Sequence, residues 1–168
     1  MHTERKIRIG ISSCLLGNNV RYDGGNKLDQ YLIDTFGRFV EWVPVCPEVE
    51  AGLSVPREPM QLVADGLRTR LFTIETRKDL TDVLARWTAG RQKLLGQEGV
   101  CGFVLKARSP SCGVRDAELF SASGESVGTR AGLFAEAIMN RFPSLPVEDE
   151  ERLRGSGARE QFLARILP

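Results

Sequence analysis

Three of the four cysteines stand in surroundings that favour chemistry over packing. Cys14 ends the stretch RIGISSC, Cys46 lies in VCPEVEAGLSVPREP, and Cys112 lies in KARSPSCG. Prolines and glycines near these thiols fix the backbone and leave amide groups free to point at a sulfur-rich centre. A lone cysteine is more often a small buried hydrophobe, so each thiol alone would be an even choice between packing and function. Cys101 has no such flanks, and we expect it to be a core residue inside a strand.

The three cysteines share one position relative to the elements that must hold them. Each follows a segment with the pattern of a strand, and we predict these strands at 6–13, 39–45 and 100–107. Apolar residues at helical spacing predict four helices, at 26–39, 78–97, 131–142 and 158–167. Two short apolar runs around Asp65-Gly66 predict a hairpin at 61–76. Alternating strands and helices predict a single α/β domain over 1–168, with a mostly parallel sheet flanked by helices, Rossmann-like. The carboxyl ends of parallel strands line one crevice, where we expect the three thiols to meet.

The histidine count removes several kinds of catalytic site. The one histidine is His2, and an N-terminus is usually frayed. A Cys-His or Ser-His-Asp unit is therefore not expected, and the zinc motifs that need histidine are missing. The usual nucleotide-phosphate loops, GxxxxGK[ST] and GxGxxG, do not occur either.

Charge and hydropathy limit the kinds of partner that we expect this protein to bind. The chain has 23 basic and 22 acidic residues and a formal net charge of +1, which is no footprint for a nucleic-acid backbone. No run of residues is apolar enough to cross a bilayer, and the charged start MHTERKIRIG lacks a secretory signal. We expect a cytoplasmic protein with reduced thiols, without nucleic-acid or membrane partners, and a monomer or small homo-oligomer.

Three thiolates without histidine suit an iron–sulfur cluster. Three protein ligands on a four-iron cluster leave one iron open, and an open iron is a Lewis acid for soft donors such as sulfur. Zinc remains an alternative, although structural zinc sites usually contain a C-x₂₋₄-C pair, which this sequence lacks. A non-catalytic sensor or electron-transfer module is the alternative function. Electron carriers have four protein ligands, and Cys101 would be the fourth.

Three long blocks of the sequence resemble the signature of the thiouracil desulfidase family, which is known from bacteria. They are SCLLGNNVRYDGG, VCPEVEAGLSVPREP and KARSPSCG, in this order. The likeness spans about 7–147 and leaves a C-terminal helical tail at 148–168. It implies a [4Fe-4S] cluster on Cys14, Cys46 and Cys112. It also implies a small thio-base substrate such as 2-thiouracil, which water converts to uracil and hydrogen sulfide at the open iron. Ser13 and Ser54 differ from the residues that are usual in the family at these positions. Neither is a cluster ligand, so the difference concerns the identity of the substrate more than the cluster.

The resemblance further implies that Glu48 handles protons and that a serine near the third cysteine assists. Ser109 and Ser111 are the candidates, since a hydroxyl there would orient water or bond to a cluster sulfur. The alternatives are that Glu48 caps a short helix and that the serines only form a turn. We expect Glu50 to face solvent.

Four residues are candidates for binding the substrate. Tyr22 has a ring that would stack on a planar base, and Asp23 would pair with ring N–H groups. Arg57 would neutralise cluster charge or hold an anion. Ser13 is a weaker candidate, whose hydroxyl would act as those of Ser109 and Ser111 would. An Asp-Gly turn and an exposed arginine are the plain alternatives. A thiolated tRNA substrate is a further possibility, against which the small net charge counts.

Overall fold

The computed structural model describes residues 5–168, so His2 lies outside the described residues. Eight strands and five α-helices form in this part of the chain. In chain order they are β1 (Ile7–Ser12), α1 (Gln30–Phe36), β2 (Val40–Val45), α2 (Pro47–Glu50), β3 (Met60–Asp65), β4 (Arg68–Thr73), α3 (Thr81–Gln97), β5 (Phe103–Leu105), β6 (Ala117–Phe120), β7 (Ser126–Arg130), α4 (Leu133–Arg141), β8 (Val147–Asp149) and α5 (Ser156–Ile166). Short 3₁₀ turns follow β1 at Ser13–Leu16 and precede α5 at Arg152–Arg154.

A four-stranded parallel sheet carries the site. Its strand order is β2-β1-β5-β8, and every neighbouring pair is parallel. Ile9, Ile11 and Val104 are fully buried on one face, under α1 and α5. Phe103 and Leu105 are fully buried on the other face, against α4. Because both faces are covered, the central strand β5 is apolar and buried throughout, as parallel strands usually are. The predicted α/β class with a parallel sheet flanked by helices is confirmed.

A second sheet of four strands also forms, and the sequence predicted only one of its two hairpins. Its order is β4-β3-β6-β7, with β3 antiparallel to β4, parallel to β6, and β6 antiparallel to β7. The β3–β4 hairpin begins one residue before the predicted range 61–76 and ends inside it. It turns at Gly66, which has the positive φ of +60° that a glycine adopts without strain. The β6–β7 hairpin was not predicted.

Several boundaries differ from the sequence prediction for local reasons. Helix α3 begins at Thr81 and not at 78, because the Asp79 carboxylate accepts hydrogen bonds from the Thr81 amide and hydroxyl at 2.9 and 2.6 Å. The strand predicted at 100–107 is paired only over β5, so Cys101 precedes it and is half-buried. The tail at 148–168 is not wholly helical, since its first two residues belong to β8 and pair with β5.

No helix among residues 5–168 combines the length and the apolar character that crossing a membrane requires.

Candidate active site

A cavity of about 340 Å³ opens at the carboxyl ends of the parallel strands, and three thiols line it. Cys14 lies in the 3₁₀ turn that follows β1, and Cys46 comes directly after β2. Cys112 lies in the loop after β5, which passes through Ser109-Pro110-Ser111. The structure therefore brings together three cysteines from three separate strand ends, at the edge where a parallel sheet binds its ligands.

Burial dominates the acidity of these thiols. It raises the pKa of Cys14 to about 11, although Arg21 and Lys106 lower it. Burial also raises the pKa of Cys46 and of Cys112, and the charge of each neighbouring thiol adds to the shift at Cys112. The three thiols are thus close enough to interact. Without a metal centre they hold their protons near neutral pH, and binding a metal would release those protons.

The donor set fits an iron–sulfur cluster. All four cysteines are free thiols, and the three in the cavity are joined by no histidine ligand in the part of the chain that is described. Among residues 5–168 no three His, Cys, Asp or Glu side chains are arranged to hold a single metal ion. A cluster places each thiolate on a different iron and so needs wider spacing than one ion does. Arg57, which also lines the cavity, has a buried Nε without a hydrogen-bond partner among the described residues.

Cys101 lies at the other end of the sheet. Its amide donates to the Arg8 carbonyl at 2.8 Å, near the start of β1, whereas Cys14 follows the end of the same strand. A strand rises about 3.3 Å per residue, so the length of β1 separates the two. Cys101 packs against the core face that α1 and α5 cover, and it does not line the cavity. This placement does not favour Cys101 as a fourth ligand.

Glu48 is held in the cavity wall by an arginine. Its Oε2 accepts from Arg57 Nη2 at 2.6 Å, with side chains only 16% and 7% exposed. Arg57 is fixed in turn, since Nη2 also donates to the Val20 carbonyl at 2.8 Å and Nη1 to the Ser54 carbonyl at 3.2 Å. Glu48 lies in the first turn of α2, but its side chain caps no backbone amide.

Glu50, which is exposed as expected, caps the start of α2 with its side chain. The Glu50 Oε2 accepts from the Cys46 amide at 2.7 Å, and its Oε1 lies 3.5 Å from Arg91 Nε on α3. Arg91 also pairs with Glu98 at 3.0 Å. The backbone of Cys46 is therefore tied to the long helix through Glu50.

The two predicted serines do different things. The Ser109 hydroxyl accepts from the amides of Ser111 and Cys112 at 3.2 and 3.0 Å, which is the turn role weighed against catalysis. The Ser111 hydroxyl is buried, 4.0 Å from the Cys112 sulfur and 3.1 Å from the Ser109 hydroxyl. Both line the cavity, and Ser111 is the one beside a thiol.

Three of the four substrate-binding candidates lie at the cavity, and Asp23 does not. Ser13, Tyr22 and Arg57 line the cavity, with Tyr22 42% exposed. The Ser13 hydroxyl accepts from Asn18 Nδ2 at 2.8 Å. Asp23 is exposed outside the lining, and its Oδ1 accepts from the Gly25 amide at 2.9 Å. Its carboxylate therefore closes a turn and is not brought to the site.

An ion pair at the cavity, between Lys106 and Glu150, was not predicted from the sequence. Lys106 lines the cavity and pairs with Glu150 at 2.7 Å. Lys106 opens the block KARSPSCG, which was a signal that could have been used. Glu150 lies 44 positions further on, just after a strand of three residues, and nothing in the sequence couples the two.

Comparisons with known proteins identify the family of this chain. Residues 9–150 match the 2-thiouracil desulfurase family. A solved structure of the [4Fe-4S]-dependent thiouracil desulfidase TudS superposes with a TM-score of 0.68 at 29% sequence identity, covering 93% of this chain and 99% of that one. The Bacillus subtilis (strain 168) protein YbbK is 29% identical over 108 residues, 61% of this chain and 71% of its own length. This chain belongs to the 2-thiouracil desulfurase family.

Proposed function

We propose that this protein is a [4Fe-4S]-dependent desulfidase that converts a small thiolated heterocycle such as 2-thiouracil and water to uracil and hydrogen sulfide. The observation that carries the proposal is the convergence of three thiols, of which Cys14 and Cys112 are buried and Cys46 is half-buried, on one cavity that also contains the largely buried Glu48–Arg57 ion pair. Family membership and the likeness to a [4Fe-4S]-dependent desulfidase support the same chemistry.

Cys14, Cys46 and Cys112 would hold the cluster. When bound, it would supply an iron without a protein ligand, which acts as a Lewis acid toward the sulfur of the thio-base. The remaining work falls to the side chains that line the cavity.

Glu48 is the general base in this proposal. It takes a proton from water while the water oxygen bonds to the ring carbon, and it returns that proton to the departing sulfur. As the carbon–sulfur bond breaks, the new hydroxyl on the ring carbon loses its proton through Glu48 to the sulfur and becomes the carbonyl oxygen. Both water protons thus leave with the sulfur as hydrogen sulfide, and no electron is transferred to the substrate. Arg57 keeps the Glu48 carboxylate oriented through the 2.6 Å ion pair.

Three other side chains would position the reactants. Tyr22, at the exposed part of the lining, would stack on the planar base. The Ser111 hydroxyl, beside Cys112, would orient water, and Ser13 would contact the heterocycle. The volume of about 340 Å³ lies at the lower end of the range for small-molecule sites, which favours a small substrate.

Free thiols throughout the chain favour a reducing compartment, and we place the protein in the cytoplasm on that ground.

The test of the function is the variant Glu48→Gln. It removes the base but keeps the shape of the side chain, so we expect full iron content, retained substrate binding and a loss of turnover of about 10²–10⁴-fold. The paired measurement is iron content and hydrogen sulfide release from 2-thiouracil, under anaerobic conditions. Glu160→Gln, at an exposed position on α5, is the matched control.

The outcomes separate the competing roles of Glu48. Full iron with sulfide release at the wild-type rate would show that Glu48 is not the base. Loss of iron would show that it only supports Cys46. A fully loaded wild-type protein that releases no sulfide from thio-bases would favour the alternative, a sensor or electron-transfer module.

A further inference from the structure

A buried lysine–glutamate pair borders the cavity and has no part in the proposed reaction. Lys106 follows β5 and Glu150 follows β8, so the pairing of these two parallel strands brings them together. Lys106 Nζ lies 2.7 Å from Glu150 Oε1, with the side chains 12% and 7% exposed. Lys106 lines the cavity and Glu150 does not, so the basic member of the pair is the one at the site.

The position of the ammonium group is fixed from several sides. Glu150 Oε2 accepts from the Ala107 amide at 2.8 Å, and Lys106 Nζ donates to the Ala107 carbonyl at 3.1 Å. The Lys106 amide donates to the Ser12 hydroxyl at 2.9 Å, which ties it to the end of β1. Two of the three ammonium donors are thus used by the protein.

The pair lies beside the thiols. Lys106 lines the same cavity as all three, and Ser12, whose hydroxyl accepts from the Lys106 amide, is two residues before Cys14. A cation held at this place lies on the side of the pair that is nearer to the proposed ligands. Burying two charges costs desolvation free energy, which an apolar pair of the same size would avoid, so a role at the site would explain why it is kept.

We propose that Lys106, held in place by Glu150, offsets the negative charge of the three cysteine ligands and thereby sets how firmly the cavity retains the cluster and how readily the cluster is reduced. This inference rests on the proposed function. Nearby charge and hydrogen bonding are among the factors that set the potential of an iron–sulfur centre. A fixed cation stabilises the more negative, reduced state and raises the potential, and the Glu150 carboxylate acts in the opposite sense.

The experiment uses charge changes of opposite sign on one pair. Wild-type protein, Lys106→Met, Lys106→Arg and Glu150→Gln are reconstituted anaerobically, and each is titrated with a chemical reductant against redox dyes. We expect Lys106→Met to lower the midpoint potential and to lose iron faster on dilution. We expect Glu150→Gln, whose amide oxygen still accepts from Ala107, to raise the potential. Lys106→Arg keeps the charge and should stay near wild type.

Lys93→Met, at an exposed position on α3, is the control for loss of a positive charge elsewhere, and it should leave both readouts unchanged. Shifts of the same sign in Lys106→Met and Glu150→Gln, or no shift in either, would overturn the inference, because a merely structural pair would respond alike to both changes. If Lys106→Met does not fold, Glu150→Gln decides, and a potential at or below the wild-type value would overturn the inference. A wild-type protein that takes up no cluster would instead refute the proposed function itself.

Discussion

At the scale of single residues, the four cysteines divide into two groups by what surrounds the sulfur. Cys14, Cys46 and Cys112 line one cavity, whereas Cys101 lies at the opposite end of the sheet. We expect alanine at any of the first three positions to remove most of the iron and the brown absorption after anaerobic reconstitution. Cys101→Ala should keep both. Iron and acid-labile sulfide are counted for each variant.

The ligand assignment would be wrong if Cys101→Ala lost the cluster while one of the other three variants kept it. The flanking prolines and glycines were enough to separate these groups in the sequence. They were not enough to place the side chains around them. The turn closed by Asp23 is the alternative that the sequence analysis weighed against substrate binding. The hydrogen bond from the Cys46 amide to the Glu50 carboxylate depends on backbone conformation that composition does not reveal.

At the scale of elements, the loop that carries Cys112 is attached to the start of α4. The Leu133 and Ala135 amides donate to the Pro110 and Ser111 carbonyls at 3.1 and 3.0 Å. A Cβ on Gly132 would lie 2.6 Å from the Ser111 carbonyl carbon and oxygen, so only glycine allows this approach. Gly132→Ala should displace the loop, lower the free energy of unfolding by about 1–3 kcal/mol and reduce iron binding.

Urea unfolding and iron content test this prediction. Gly90→Ala, inside α3 and without any neighbour within 4 Å of the added methyl group, is the matched control. It should stabilise the protein by up to about 1 kcal/mol, since glycine is a poor helix former. Equal stability and iron content in Gly132→Ala and Gly90→Ala would show that the loop is not held by α4.

The elements that the sequence predicted are those with a strong apolar pattern. Buried strands β1 and β2 and the longer helices fall in this class. The hairpin of β6 and β7 was missed because β7 is exposed along most of its length and carries serine and glycine, so the alternation is weak. Strand β8 has three residues and is a strand only because β5 pairs with it, which is a tertiary effect.

At the scale of the whole molecule, the basic residues that line the cavity are largely compensated by carboxylates. Five basic residues line it: Arg21, Lys27, Arg57, Lys106 and Arg108. Four of these pair with carboxylates: Arg21 with Asp23, Arg57 with Glu48, Lys106 with Glu150 and Arg108 with Glu151. With a net charge of +1 on 168 residues, this is a charged pocket and not an extended basic surface. It suits a small ligand better than a polyanion.

This charge distribution predicts how the activity responds to salt. A polyanion such as a thiolated tRNA, held through 6–10 phosphate contacts, would lose affinity by about 10³–10⁵-fold between about 50 and 200 mM salt, because binding releases condensed counterions. A free base or nucleoside releases none, so KM for 2-thiouracil should change little over the same range. The measurement is hydrogen sulfide release against substrate concentration at several salt concentrations, with iron content checked at each. The same series with a thiolated tRNA is the comparison. Turnover of the tRNA at low salt that falls steeply as salt is added would contradict the small-molecule assignment, and it would require the basic residues at the cavity to act together on a nucleic-acid backbone.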